Sequence, residues 1–224
     1  MNLSSWNAYL RAVLPAATIS SVPATMITQI LNSGALDITK KTLCLKKNQQ
    51  FNVVSGQGQY DLNSLLGDYL TPDKSGLFWN NGTQFTEVFP RTTKELDNEY
   101  PNWRSLSPGN PQFYAIEETI LTVVLTPNTS LVNGFWFYYT PMSTDMVNSS
   151  DFPFVGSANE IKRLRIFDEA LEAYCRWKIS PIINKDQQDQ TQIIYKSTLD
   201  EASKLWDMRP DVFSESRLRV PNIC

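Results

Sequence analysis

Hydrophobic positions recur along this chain in two different rhythms, and the change from one to the other divides it into blocks. Behind Ser4 and Ser5 as candidate caps, Trp6, Leu10, Val13 and Leu14 fall at near-helical spacing, and Pro15 closes the pattern. A second stripe, Met26, Ile27, Ile30, Leu31 and Ile38, follows Ser21 and Pro23 and ends beside Lys40 and Lys41, where cations complement a helix C-terminus. The spacing predicts a short helix and then a longer, docked amphipathic one. Past Leu43 the period shortens to two. Phe51 and Val53 alternate with Asn52 and Val54, Gly56-Gln57-Gly58 reads as a turn, and Tyr60 to Leu62 as a second short strand. Asn80-Asn81-Gly82, between Leu77-Phe78-Trp79 and Phe85 to Phe89, predicts a hairpin closed by a type I′ turn. Thr92 to Asn98 reads as one helical turn before the Tyr100-Pro101 break.

Strands are expected at Phe113 to Ile116, Ile120 to Leu125 and Leu131 to Tyr139, with corners at Glu117-Glu118 and Pro127-Asn128. Pro141 ends this antiparallel meander or sandwich, and 142–157 reads as a polar linker. From Ser157 the helical period resumes, with Leu164, Phe167, Leu171, Tyr174 and Lys178 on one face, and Ile179-Ser180-Pro181 is expected to end that helix. A last helix, Asp186 to Met208, carries Tyr195, Leu199, Ala202 and Trp206 on its apolar face, so the two form a helical hairpin. Neither is broad-faced enough to stand alone in water, which brings them back onto the N-terminal helices. The expected fold class is therefore α+β: a helical bundle of N- and C-terminal helices with an inserted antiparallel β-sandwich-like module. Its blocks are 1–42 (N-terminal helices), 43–142 (β module), 143–208 (linker and helical hairpin) and 209–224 (an extended C-terminal arm).

Composition narrows the chemistry. The 224 residues contain no histidine, which removes the side chain most used for acid-base work near neutral pH and the commonest nitrogen ligand for metals. Cys44, Cys175 and Cys224 are odd in number and widely spaced, so neither a zinc knuckle nor a disulfide framework is suggested, and Cys44 and Cys175 read as small buried apolar residues. A net charge of -3 without clustered Lys and Arg argues against a nucleic-acid grip. No run is long enough to span a membrane, and the stretch from Ala8 to Ala24, with Arg11 and Pro15 in its apolar part, is not read as a signal peptide. No cofactor or metal site is expected.

Carboxylates are the remaining catalytic candidates, because glycosidases need two acids across a cleft. Asp61, Glu87, Asp97, Glu117 and Glu118 are the nearest, and the Glu117-Glu118 corner has a solvated turn as its ordinary explanation. Gly56-Gln57-Gly58 lacks the third glycine and the helix of a dinucleotide site. The aromatics are more informative. On a strand from Phe135 to Tyr139, Phe135, Phe137 and Tyr139 share one face and Trp136 and Tyr138 the other. A module apolar on both faces has to cover the second one, with a second sheet, the bundle or a neighbouring subunit, or else present it to a carbohydrate. Trp136 and Tyr138 are thus candidate interface residues. The tail, with Arg217, Leu218, Arg219, Val220 and Ile223, reads either as a frayed terminus or as a peptide that docks on a partner.

Taken in order, Gly56-Gln57-Gly58-Gln59-Tyr60-Asp61-Leu62, Tyr100-Pro101-Asn102-Trp103, Gly109-Asn110-Pro111-Gln112-Phe113-Tyr114, Leu125-Thr126-Pro127 and Phe137-Tyr138-Tyr139-Thr140-Pro141 resemble the head-to-tail adaptor (connector, or tail tubular) proteins of short-tailed bacteriophages. The likeness covers roughly residues 20 to 208. Asn63 departs from it, standing where such proteins often have proline, and the segment before Ser21 has no counterpart in it. The resemblance implies a structural virion protein, made in the host cytoplasm and placed at the head-tail junction. It implies a ring of twelve copies between the portal protein and the tail nozzle protein, with genomic DNA passing through unbound. It also implies that the arm from Arg217 to Ile223 engages the portal. On this reading the chain is not an enzyme, meets no membrane and needs no cofactor. The alternatives are a carbohydrate-binding β module of a phage tail or surface protein and, further off, a histidine-free glycoside hydrolase acting through Glu117 or Glu118.

Overall fold

The computed structural model describes residues 1–14, 22–183 and 188–208. Its helices are α1 (Leu3–Val13), α2 (Ala24–Thr42), α3 (Leu62–Leu66), α4 (Thr93–Glu99), α5 (Asp168–Ile183) and α6 (Gln188–Asp207). Its strands are β1 (Lys47–Val53), β2 (Gln59–Asp61), β3 (Tyr69–Asn80), β4 (Phe85–Pro90), β5 (Phe113–Glu117), β6 (Ile120–Val124) and β7 (Leu131–Pro141). The class is α+β. The chain divides into two compact units, one joining Met1–Leu45 to the chain from Met142 onward and the other formed by Lys46–Pro141.

In the helical unit, α1 starts where it does because its orphan N–H groups find acceptors. The Asn2 side chain accepts from the Ser5 amide, and the carbonyls of Asp151 and Ser149 accept from the Leu3 and Ser4 amides at 2.7 and 3.0 Å. Leu3, Trp6 and Leu10 of α1 are buried with Ile27, Leu31 and Ile38 of α2, Leu171 and Cys175 of α5, and Tyr195 and Trp206 of α6. Lys40 and Lys41 sit in the last turn of α2, and Leu43 ends it in the left-handed conformation, at φ 49°. Burial pushes the Cys44 and Cys175 thiols up, as expected of inert core cysteines.

Three details of this unit differ from the sequence expectation. The helix expected from Ser157 is regular only from Asp168; before it, Lys162–Phe167 forms tighter 3-10 turns. Glu160, just upstream, is held by a two-pronged bond from Arg165 at 2.7 and 2.6 Å and lies 3.7 Å from the amino group of Met1. The backbone of α5 then continues through Pro181 to Ile183, since a proline so close to a helix end deletes little more than one terminal hydrogen bond. Finally, 142–157 carries core residues. Met146 and Phe154 are each 2 % exposed, and Asn32 of α2 clamps Met146 by accepting from its amide and donating to its carbonyl.

The second unit is one seven-stranded sheet in the order β1-β7-β3-β4-β5-β6-β2. Neighbours are antiparallel except β4 and β5, which run parallel, so the sheet is mixed rather than wholly antiparallel. β4 joins its halves: Phe85 to Val88 pair with Asn80 to Leu77 of β3, while Phe89 and Pro90 pair with Phe113 and Tyr114 of β5. The sheet curls around Phe51, Leu77, Trp79, Val88, Leu121, Phe135 and Phe137, which supplies the sandwich-like closure. The opposite face of the β5-β6 half buries Ala115 and Val124 against Leu96 of α4 and Trp103. The β3-β4 hairpin forms where expected, but its turn is not type I′. Gly82 has positive φ and Asn81 does not; the Asn81 side chain instead accepts from the amides of Thr83 and Gln84 at 3.0 and 2.7 Å.

Candidate functional site

Alternation along β7 sorts its aromatics as expected: Phe135, Phe137 and Tyr139 are fully buried, and Trp136 and Tyr138 lie partly exposed on the outer face. The ladder places Phe78 of β3 directly opposite Trp136. On that face Phe78 stacks on Phe85 at 5.0 Å between centroids, Phe85 meets Trp136 edge-on at 5.2 Å, and Phe78 meets Tyr138 edge-on at 5.7 Å. Phe85 is 46 % exposed, and the Trp136 indole N–H has no partner among the described residues. The result is a four-ring outward cluster. Sequence reasoning named Trp136 and Tyr138 for this role and missed Phe78, which becomes visible only once β3 and β7 are in register.

Four of the five blocks that carry the sequence likeness, all but Phe137 to Pro141, converge on a corner of the sheet. The Gly56 amide donates to the Pro127 carbonyl, Gly109 to Thr126 and Val123 to Gly58, each at 2.8 Å. Gly58, Trp103, Leu106, Leu125 and Thr126 line a groove of about 260 Å³ there. Leu125 takes φ 62°, a left-handed conformation rare for a branched residue, and so turns the chain sharply into Thr126-Pro127. Trp103 is locked in place because its indole N–H donates to Asp97 at 2.9 Å, while Arg104 binds the same oxygen at 2.5 Å and lies over the indole ring.

Two of the five carboxylate candidates, Asp61 and Asp97, have structural occupations. Asp61 caps α3 by accepting from the Asn63 amide and the Ser64 hydroxyl. The Arg104 guanidinium and then the Trp103 N–H hold the Asp97 carboxyl below the usual range. Glu117 and Glu118 are exposed, with Glu118 in the left-handed conformation at the tip of the β5-β6 corner. Glu87 stands opposite Phe78 and lines a slot of about 330 Å³ with Phe89, Pro111 and Phe113. Among the described residues no cluster of three or more His, Cys, Asp or Glu side chains could hold a metal ion.

The helical unit presents apolar side chains of its own along α6, where Ile193, Ile194 and Leu205 are 48 to 67 % exposed, and at Met208 just past its end. Nearby, the Tyr195 hydroxyl donates to Asp37, which also binds Lys41 at 2.7 Å, and this ties α6 to α2. Arg217, Leu218, Arg219, Val220 and Ile223, expected to dock on the portal, lie outside the described residues.

Comparison with known proteins matches a family model described as SU10 adaptor protein over residues 1–220. The match begins at the first residue, so it takes in the segment before Ser21 that the sequence likeness left without a counterpart. No curated protein matches the chain.

Proposed function

From the premise that the chain belongs to the SU10 adaptor protein family, we propose that it forms a ring between the portal and the tail nozzle of a phage and lets the genome pass through. As a phage adaptor it is a structural virion component, and no helix among its described residues is long and apolar enough to cross a membrane. The ring contains twelve copies, each meeting the next through a head-to-tail contact that closes by rotation. The observation that carries this reading is the reach of the family match, which takes in both the helical unit and the inserted sheet.

The work of such a protein is burial of surface between molecules, and two described surfaces suit it. The outward rings of Phe78, Phe85, Trp136 and Tyr138 supply rigid apolar area on the sheet, and α6 supplies aliphatic side chains on the helical unit. A net charge of -3 suits a conduit from which DNA must leave, because a strongly basic wall would hold phosphate. Mixing the purified chain with its portal should give ring-bearing particles under negative stain, and these should capture the nozzle protein. A protein that binds neither component contradicts the reading.

A further inference from the structure

Midway along its length β4 changes partner, and the change leaves part of its edge open. Main-chain groups alternate from one edge of a strand to the other. The Phe89 amide donates to the Gln112 carbonyl at 2.9 Å and the Arg91 amide to Tyr114 at 2.8 Å, so residues 89 and 91 face β5. Glu87, two residues back, turns its N–H and C=O the same way. The hairpin end agrees: Asn81 donates to Gln84 at 3.1 Å, which makes 79–86 and 77–88 the hydrogen-bonded pairs of the β3-β4 ladder and Phe78–Glu87 a pair without ladder bonds. Opposite Glu87 the chain veers off, because Gly109 is drawn to the Thr126 carbonyl and the Gln112 amide, which would otherwise meet the Glu87 carbonyl, donates to Val124 at 3.2 Å. Among the described residues no main-chain bond closes the gap, and the slot of about 330 Å³ occupies it.

An open strand edge beside a slot is matched by an extended peptide, which completes the ladder and places alternate side chains to either side. Phe89, Pro111 and Phe113 give the slot apolar walls, Glu87 gives it a carboxylate, and the buried Trp79 indole N–H beside it has no partner among the described residues. The chain itself contains a segment of complementary chemistry. Arg217-Leu218-Arg219-Val220 alternates basic and apolar residues, so as a strand it sets Leu218 and Val220 on one face and two guanidinium groups on the other. The sixteen residues after Met208 can span about 50 Å when extended.

We propose that residues 217–220 of one copy add as a short strand to β4 of the next copy, filling the slot between Glu87 and Pro111. This rests on the ring reading, and it supplies that ring with a donor and an acceptor on every chain, as a head-to-tail contact requires.

The test uses the full chain, assembled with portal from a mixture of light and heavy isotope forms, with a photo-cross-linking residue at position 220. Mass spectrometry should find light-to-heavy cross-links from that position to 85–89 or 110–113. Glu87→Lys should lower their yield roughly tenfold, a loss equivalent to about 1.4 kcal/mol of contact, with the melting temperature unchanged. Leu218→Asp should lower it similarly without touching the sheet. Rings whose cross-links run only to the portal, only within one chain, or nowhere near the slot overturn the proposal and leave the ring standing. Failure to form rings overturns both.

Discussion

Asp151 shows what one carboxylate does for a loop without regular structure. Its Oδ2 accepts from the amides of Val147 and Asn148 at 2.8 and 2.7 Å, while its own carbonyl receives the Leu3 amide that opens α1. The Asn148 and then the Val147 N–H hold its carboxyl below the usual range. A carboxyl with a lowered folded pKa contributes stability above the unfolded value near 3.9 and loses it as the pH falls through the folded value. Asp151→Asn should therefore weaken the helical unit at neutral pH and reduce the steepness of its acid unfolding below about pH 4, as followed by circular dichroism. A single-residue contrast also separates packing from assembly. Trp79→Ala removes a side chain that is 1 % exposed and should cost about 3 to 5 kcal/mol in a denaturant titration. Trp136→Ala should cost clearly less in the same titration and should weaken association instead. The inward and outward faces of β7 were legible because Phe135 to Tyr139 alternate without interruption. Phe78 was not, because its place opposite Trp136 depends on a register that shifts between Pro72 and Leu77.

The helices were legible where a stripe of apolar residues runs against the charges, as on α2 and α6, and blurred at their ends, where tertiary partners decide. Neither the 3-10 start of α5 nor its passage through Pro181 follows from periodicity, and the segment before it hid its core residues among polar neighbours. In 142–157 the clamp from Asn32 seats Met146, and Phe154 is buried against Phe167, with 6.1 Å between ring centroids. Gly34 is a clearer mark at this level. A Cβ there would meet Leu171 Cδ1 and Tyr174 Cδ1 at 2.8 Å, so α2 and α5 approach closely because this position is bare. Gly34→Val should cost about 1 to 3 kcal/mol through overpacking, well beyond any gain in helix propensity, and thermal unfolding checks it. Turn chemistry was legible in outline only. Asn-Gly marked the β3-β4 hairpin correctly, yet the Asn81 side chain closes the turn, so Asn81→Ala should destabilise it by about 1 kcal/mol in the same assay.

At the level of the whole molecule, the lack of histidine removes imidazole chemistry, and a net charge of -3 without clustered Lys and Arg gives no basic grip for nucleic acid. Four of the five blocks that carry the sequence likeness meet at the corner of Gly56, Gly109 and Pro127, where their contacts are main-chain bonds and packing. The docking surfaces were less legible, because an interface is a property of two molecules and a single sequence shows only an excess of apolar side chains that its own fold does not consume. The mass of the complex formed with the portal tests the central claim most directly. A single closed ring of about twelve chains per portal, formed without turnover of any substrate, is the predicted result; a chain that remains one copy at saturating portal and nozzle concentrations contradicts it.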